Sequence, residues 1–454
     1  MSFELDFTDL TPQLSEKLQD LCIIRRDADA YNQDEIYELY HIDSKKQKII
    51  IPIGLWKLFK SVFPNSIGKI SNNSHIQFPK DLYSLSTDPH GFRDQDVITK
   101  YTINKLDNDG TCMLALCTGF GKTTIGTFIT CHYKQKTMLL CHLSIVNNQW
   151  IEAFEECGLR VQFIKNKQKM RPDVDVYVMG ILKAKNYSDP LLSTIKLIIL
   201  DEAHIAVVSS SQVLLRFVGC RYLLGLSATP DRLDDLHVLM YPYFGPIQNY
   251  ITRQQLKSFT VYKIYTGIVP EIGYQWCQGR KVLNWTKVRN SIEYNSEFHK
   301  REVSDVLNHP DRVILLLVSR VEHLESLYEL LLKKGENVDV MYGDKNDYDE
   351  DCRVLISIDK KAGVGFNRKS TNMLILGFDC TDVRQYEGRI RLDNFIIIDY
   401  VHELPTFNKH FENHRKPWYT QRGGTIQTIG KTQMNKSESE FKSLLHPNKN
   451  TDNS

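Results

Sequence analysis

The sequence predicts an α/β fold: two tandem parallel-sheet domains with a small N-terminal α+β domain. Three observations carry this. Strand-length apolar runs at 113–117, 137–141, 174–179, 197–200 and 222–226 alternate with helical stretches. Most of these runs are apolar on both faces, as strands covered by helices on both sides must be. The alternation resumes at 313–318, 338–341, 354–358, 373–376 and 395–399, with a helix over Val321–Lys333 that is apolar at Leu324, Leu327, Leu330 and Leu331. At 454 residues the chain is also too long for one ordinary core.

Taken in order, residues 1–88 mix short apolar runs with polar turns and are expected to form the small N-terminal accessory domain. Residues 89–255 carry the first sheet. A polar stretch rich in Lys, Arg, Asn and Glu follows, so 256–310 reads as a linker or helical insertion. Residues 311–425 carry the second sheet, and the Lys-, Ser-, Asn- and Thr-rich end, 426–454, is expected to be a disordered tail.

Composition narrows the classes. No apolar run reaches the ~18–20 residues of a membrane span. The acidic, polar opening is no secretory or transit signal. The expected location is the cytoplasm or nucleus or, for a viral protein, the host cell or virion. The ten cysteines include no C-x-x-C pair, which argues against a zinc ribbon or a disulfide framework. Cys112, Cys117 and Cys141 fall in or beside strands and read as reduced core residues rather than iron–sulfur ligands. A net charge of +2 does not suggest bulk coating of nucleic acid and leaves room for a local basic groove.

Two motifs point to chemistry. A strand ends in Thr118-Gly119-Phe120-Gly121-Lys122-Thr123-Thr124 and runs into a helix, an arrangement whose backbone N–H groups cradle a triphosphate. Lys122 suits the β/γ-phosphates of ATP, and the Thr123 hydroxyl suits Mg²⁺. Leu116 stands where the full phosphate-loop pattern has its first glycine. Four apolar residues then lead into Asp201-Glu202-Ala203-His204, placing two acids at the carboxyl end of a central strand. Asp201 suits the metal, and Glu202 suits orienting the attacking water.

Together these residues resemble the superfamily 2 helicases, and further motifs follow in the family's order. Leu143-Ser144-Ile145-Val146-Asn147-Asn148-Gln149-Trp150 is similar to motif Ia, and Gly225-Leu226-Ser227-Ala228-Thr229-Pro230 to motif III. Ala362-Gly363-Val364-Gly365-Phe366-Asn367 resembles motif V, and Gln385-Tyr386-Glu387-Gly388-Arg389-Ile390-Arg391 motif VI. The Gln149-Trp150 pair and the Ser-Ala-Thr-Pro-Asp-Arg run look closest to the XPB-like repair helicases and their large-DNA-virus relatives, including the poxvirus transcript-release helicase. The resemblance covers roughly residues 90–400 and implies two RecA-like lobes.

The resemblance assigns roles residue by residue. Gln149, Trp150 and Gly365 would touch nucleic acid, although a Trp after a helix's apolar face is more often core; His204, Ser227, Ala228 and Thr229 would couple hydrolysis to strand binding. Gln385 would sense ATP or water, and Arg389 would act as the arginine finger. Arg391 stands one residue before the family's second arginine, a position that holds Leu392 here, and could instead pair with Glu387 at the surface. Asn367 replaces the acid usual in motif V. Gln95, in Phe92-Arg93-Asp94-Gln95, resembles an adenine-reading glutamine, although its spacing is one residue short. Lys183, Lys185, Arg253, Lys257, Arg280 and Arg289 are candidate phosphate contacts, and the 280–289 stretch, with Lys281 and Trp285, a candidate duplex grip.

What the resemblance implies is an ATP- and Mg²⁺-dependent motor on nucleic acid, DNA favoured, with 3′-to-5′ polarity, acting as a monomer beside repair or transcription proteins. An RNA helicase or transcript-release translocase, a restriction-system motor subunit and a non-hydrolysing scaffold are the alternatives.

Overall fold

The computed structural model describes residues 2–26, 35–59 and 94–430, apart from 142–143, 166–167, 218, 233, 278, 346 and 363–367. The chain divides into two units, the second beginning at Gln255.

The first unit is built on a seven-stranded parallel sheet. Its order is Ile251–Arg253, Thr111–Leu116, Tyr222–Ser227, Leu197–Asp201, Thr137–Cys141, Val176–Gly180 and Val161–Phe163. The four strands from Thr111–Leu116 to Thr137–Cys141 are almost wholly buried, which is why they read as unbroken apolar runs. Register pairs Asp201 with Leu226, and Ser227 with Ala115. The ends of three central strands therefore lie together, where ligands bind in such sheets. Cys112, Cys117 and Cys141 are buried in this core.

The N-terminal segment is α+β: a three-stranded antiparallel sheet of Ser2–Asp6, Lys48–Pro52 and His41–Asp43, the helix Pro12–Cys22, and the hairpin Ile23–Arg26/Glu35–Glu38. Its described buried apolar residues join the core of the first sheet. Phe3, Leu5, Leu18 and Ile51 belong to one apolar cluster with Met113, Leu200, Val213 and Leu214. Ser2 Oγ donates to Leu215 O at 2.7 Å. The segment is thus a layer of the first unit.

The second unit holds another seven-stranded parallel sheet, in the order Val338–Met341, Val354–Ile358, Ile314–Val318, Met373–Leu376, Phe395–Val401, Phe259–Tyr265 and Gly424–Ile429. The helix Val321–Lys333 buries Leu324, Leu327 and Leu331 against it. Two boundaries differ from expectation. Residues 256–310 contribute the strand Phe259–Tyr265 and the helices Trp285–Glu293 and Ser296–Leu307, whose Val288, Ile292, Phe298 and Val306 sit in the second core. The strand Gly424–Ile429 extends the sheet into what read as tail; 431–454 lie outside the described residues.

Candidate functional site

The phosphate-loop sequence forms the expected strand–loop–helix turn. Thr111–Leu116 ends the strand, and helix Lys122–Tyr133 starts immediately after Gly121. Gly119 and Gly121 adopt φ of 81° and 98°, a left-handed backbone open mainly to glycine. A Cβ on Gly121 would also displace the Gln95 side-chain amide that packs against it. Lys122 Nζ donates to Leu116 O at 3.3 Å, folded back over the loop's entrance. Thr118, Thr123 and Thr124 are half-buried. The Phe120 ring is buried in the core with Ile98 and Ile125, which leaves its backbone to face the loop.

Gln95 is the first residue of the helix Gln95–Asp109, capped by the Asp94 carboxylate on Val97 N at 3.1 Å. It is buried, and Nε2 donates to Phe120 O at 2.9 Å. The glutamine therefore ties this helix to the phosphate loop.

The acid pair stands beside that loop. Asp201 is 6 % exposed at the end of its strand. Its Oδ2 accepts from Trp150 Nε1 at 2.9 Å and its Oδ1 from Glu202 N at 3.1 Å. Burial and the neighbouring Glu202 charge push its carboxyl up to about 6, against the pull of the Trp150 bond and of Lys122. Glu202 has φ 48° and ψ 54°, a left-handed conformation costing a non-glycine residue roughly 1–2 kcal/mol. Such strain persists where the surrounding structure imposes it, commonly at functional sites. Glu202 O in turn accepts from Ile205 N and Ala206 N, so the strained residue starts the helix Ala203–Leu215.

Trp150 corrects a sequence expectation. Its side chain is 1 % exposed and cannot stack on a base in this structure. It fits because position 126 is glycine: a Cβ there would lie 2.5 Å from the indole. Its neighbour Gln149 is exposed on the same helix. The indole bond to Asp201 spans 51 residues of sequence and had no signal in spacing.

That bond carries a pH prediction. As pH falls through about 6, Asp201 takes up a proton and loses its capacity to hold a cation. Trp150→Phe removes one group that favours the carboxylate, so the acid limb of ATP turnover at limiting Mg²⁺ is expected to move to higher pH. Rate–pH profiles of the two proteins check this; superimposed limbs would mean that the indole does not tune Asp201.

The Asp201–His204 and Ser227–Thr229 runs meet directly. His204 Nδ1 lies 2.8 Å from Ser227 Oγ and 3.6 Å from Glu202 Oε2. Ser227 Oγ also accepts from Thr229 N at 3.0 Å. One imidazole thus lies between the Ser227 hydroxyl and the Glu202 carboxylate. Arg232, held by Asp234 at 2.6 Å, adds a long contact to His204 O at 3.4 Å.

In the second unit the motif VI segment forms the short helix Arg384–Glu387 and the turn after it. Gln385, Arg389 and Arg391 are half-buried. The expected surface pairing of Arg391 with Glu387 is not formed. Glu387 is fully buried and instead takes a two-pronged bond from Arg422, at 3.1 Å on each oxygen. Lys257 is corrected too: it is buried and its ammonium donates to Ile390 O, so it braces this turn and is no phosphate contact. Sequence reasoning missed Arg422, which lies 35 residues from its partner. Arg422→Ala strands a buried carboxylate and is expected to destabilise the protein by ~3–5 kcal/mol, read as a lowered thermal midpoint.

Of the remaining candidates, Lys183, Lys185, Arg253, Arg280 and Arg289 are exposed, and Gly365 lies outside the described residues. Trp285 is half-buried against Phe407 and His410, with ring centroids at 6.0 and 5.9 Å, and is poorly placed to grip a duplex.

Residues 90–232 match the family model described as type III restriction enzyme, res subunit. Over its length the chain is similar to "Putative helicase 161L" of Invertebrate iridescent virus 6, 26 % identical and covering 94 % of this chain and 99 % of that protein. It is also similar to "Putative helicase 055L" of Frog virus 3, at 28 % identity over 76 % and 80 % of the two chains. Among solved structures, a fragment of a "putative HsdR subunit of a type I restriction enzyme" from Vibrio vulnificus shares the fold, with a TM-score of 0.52, 17 % identity and coverage of 74 % and 68 %. No helix among the described residues is long and apolar enough to cross a membrane.

Proposed function

We propose that this chain, a helicase-type ATPase of superfamily 2, is a nucleic-acid motor that hydrolyses ATP at the 118–124 loop and acts preferentially on DNA. The observation that carries the reading is the convergence of the loop lysine, the buried Asp201, the strained Glu202 and the His204–Ser227 contact at the carboxyl ends of the central strands of the first sheet.

The residues fit the nucleotide and its cation. The loop's glycines leave its backbone open to phosphate oxygens, and Lys122 supplies a charge already close enough to act on Asp201. Asp201 is a buried carboxylate held at two points with its charge uncompensated by burial, which is the setting a divalent cation relieves. The Thr123 hydroxyl and Asp201 would hold Mg²⁺, whose chemistry is to neutralise charge on the β- and γ-phosphate oxygens. Glu202 orients the attacking water and draws its proton. Gln95 ties the base-proximal helix to the loop, Gln385 reads the state of the nucleotide, and Arg389 stabilises charge on the γ-phosphoryl group. His204 passes the change to Ser227, Ala228 and Thr229, and Gln149 contacts the strand.

DNA is favoured by the restriction-type family model. RNA is the second reading, because a mimivirus relative, 23 % identical over 78 % of this chain, bears the name of an ATP-dependent RNA helicase. Strand displacement on matched DNA and RNA duplexes with ATP and Mg²⁺ tests the choice. Faster displacement of DNA is the expected result, and displacement of RNA alone would reverse the assignment.

A further inference from the structure

The second unit carries a two-stranded antiparallel hairpin, Tyr274–Cys277 paired with Arg280–Leu283, that is separate from the seven-stranded sheet. Its base is fixed. Asn284 N donates to Gly273 O at 2.8 Å, Leu283 is buried in the second core, and Tyr274 packs against that core. Its far end is in water: Gln275, Trp276, Gly279, Arg280 and Lys281 are exposed. Gly279 turns the chain at φ 75°.

Trp276 is 76 % exposed, whereas Trp150 is buried and Trp56, Trp285 and Trp418 are half-buried. An indole left in water forgoes the burial that normally places tryptophan inside. Register sets Trp276 directly across from Lys281, and Tyr274 across from Leu283, so the four side chains share one face of the hairpin. Lys281 Nζ lies 4.8 Å from the Tyr274 ring centroid. The face is therefore aromatic, cation, aromatic.

Local charge decides what such a face suits. The hairpin's own residues include Arg280 and Lys281 and no Asp or Glu, whereas Lys287 beyond it is paired with Glu271 at 3.4 Å. A flat ring beside a cation matches a base beside its phosphate, and aromatic stacking with a basic surround is how single strands are held without reading sequence.

We infer that this hairpin is a single-strand binding element, with Trp276 stacking on an unpaired base and Lys281 holding the adjoining phosphate. The inference rests on the nucleic-acid reading above and adds a contact that none of the helicase motifs supplies.

The test is anisotropy of labelled oligo-dT and oligo-U on the full chain, with wild type, Trp276→Ala and Trp276→Phe at one fixed salt concentration. Loss of one stacked base corresponds to roughly 5- to 150-fold weaker binding, which is expected for Trp276→Ala. Trp276→Phe keeps an aromatic face and should retain most of the affinity. Lys281→Ala should reduce the dependence of log affinity on log salt by about one unit. Intrinsic tryptophan fluorescence should be quenched on binding in wild type and not in Trp276→Phe. Because the side chain is exposed, the thermal midpoint of Trp276→Ala should match wild type, separating a lost contact from a lost fold. Wild-type binding with unchanged Trp276→Ala affinity overturns the hairpin assignment alone, as it would if the hairpin served a protein partner. A wild type that binds neither oligonucleotide overturns the motor reading as well.

Discussion

Arg389→Ala is expected to lower nucleic-acid-stimulated ATP turnover by roughly 10³- to 10⁵-fold, the range associated with an arginine acting on a transferring phosphoryl group. Arg389 sits in a turn that two other side chains brace. Arg422 grips Glu387 just before it, and Lys257 bonds the carbonyl of Ile390 just after it. Truncation at 389 leaves both braces in place, so the thermal midpoint should change little while the rate collapses. Nucleotide affinity should fall far less than turnover, because the cation acts chiefly on charge developed in the transition state. Single-turnover hydrolysis beside equilibrium binding of a labelled nucleotide separates the two effects. A proportionate loss of affinity and rate would instead make Arg389 a ground-state contact.

Glu202→Gln is expected to reduce turnover by roughly 10²- to 10⁴-fold with nucleotide binding retained. The amide keeps the size of the carboxylate but cannot accept the water's proton. It also removes a charge that helps to push the Asp201 carboxyl up, so Asp201 should stay ionised to lower pH in this variant. The backbone at 202 is left-handed in any case, and glutamine is no worse there than glutamate. Isothermal titration with a non-hydrolysable nucleotide and Mg²⁺ provides the binding control.

The two sheets were legible where strands are covered on both faces. The runs 137–141, 338–341, 354–358 and 373–376 became strands at the same bounds, because a strand buried between helices tolerates little but apolar residues. Of the four strands of the two sheets that escaped, two did so for a plain physical reason. Phe259–Tyr265 carries Lys263 within it, a buried ammonium bonded to Asn408 at 2.7 Å and Glu412 at 2.8 Å, and its polarity made the segment read as linker. Gly424–Ile429 lies at the sheet's edge with exposed Thr425, Gln427 and Thr428, and reads as tail.

In the site, residues tied to a local pattern were found and those tied by long-range bonds were not. Lys122, Asp201 and Glu202 announce themselves by their strand–loop context. The link from Trp150 to Asp201 and that from Arg422 to Glu387 depend on which elements the fold brings together. Trp276 lacked a signal for the opposite reason: its meaning lies in being left exposed, which only the folded chain reveals.

The central claim is nucleic-acid-dependent hydrolysis by the 201–202 acid pair. Steady-state ATP turnover, with and without saturating single-stranded DNA or RNA, for wild type and Glu202→Gln tests it most directly. The account predicts turnover in wild type that rises when nucleic acid is added and collapses in Glu202→Gln. Wild-type protein that hydrolyses no ATP even with saturating DNA and RNA, or a Glu202→Gln variant as active as wild type, would contradict it.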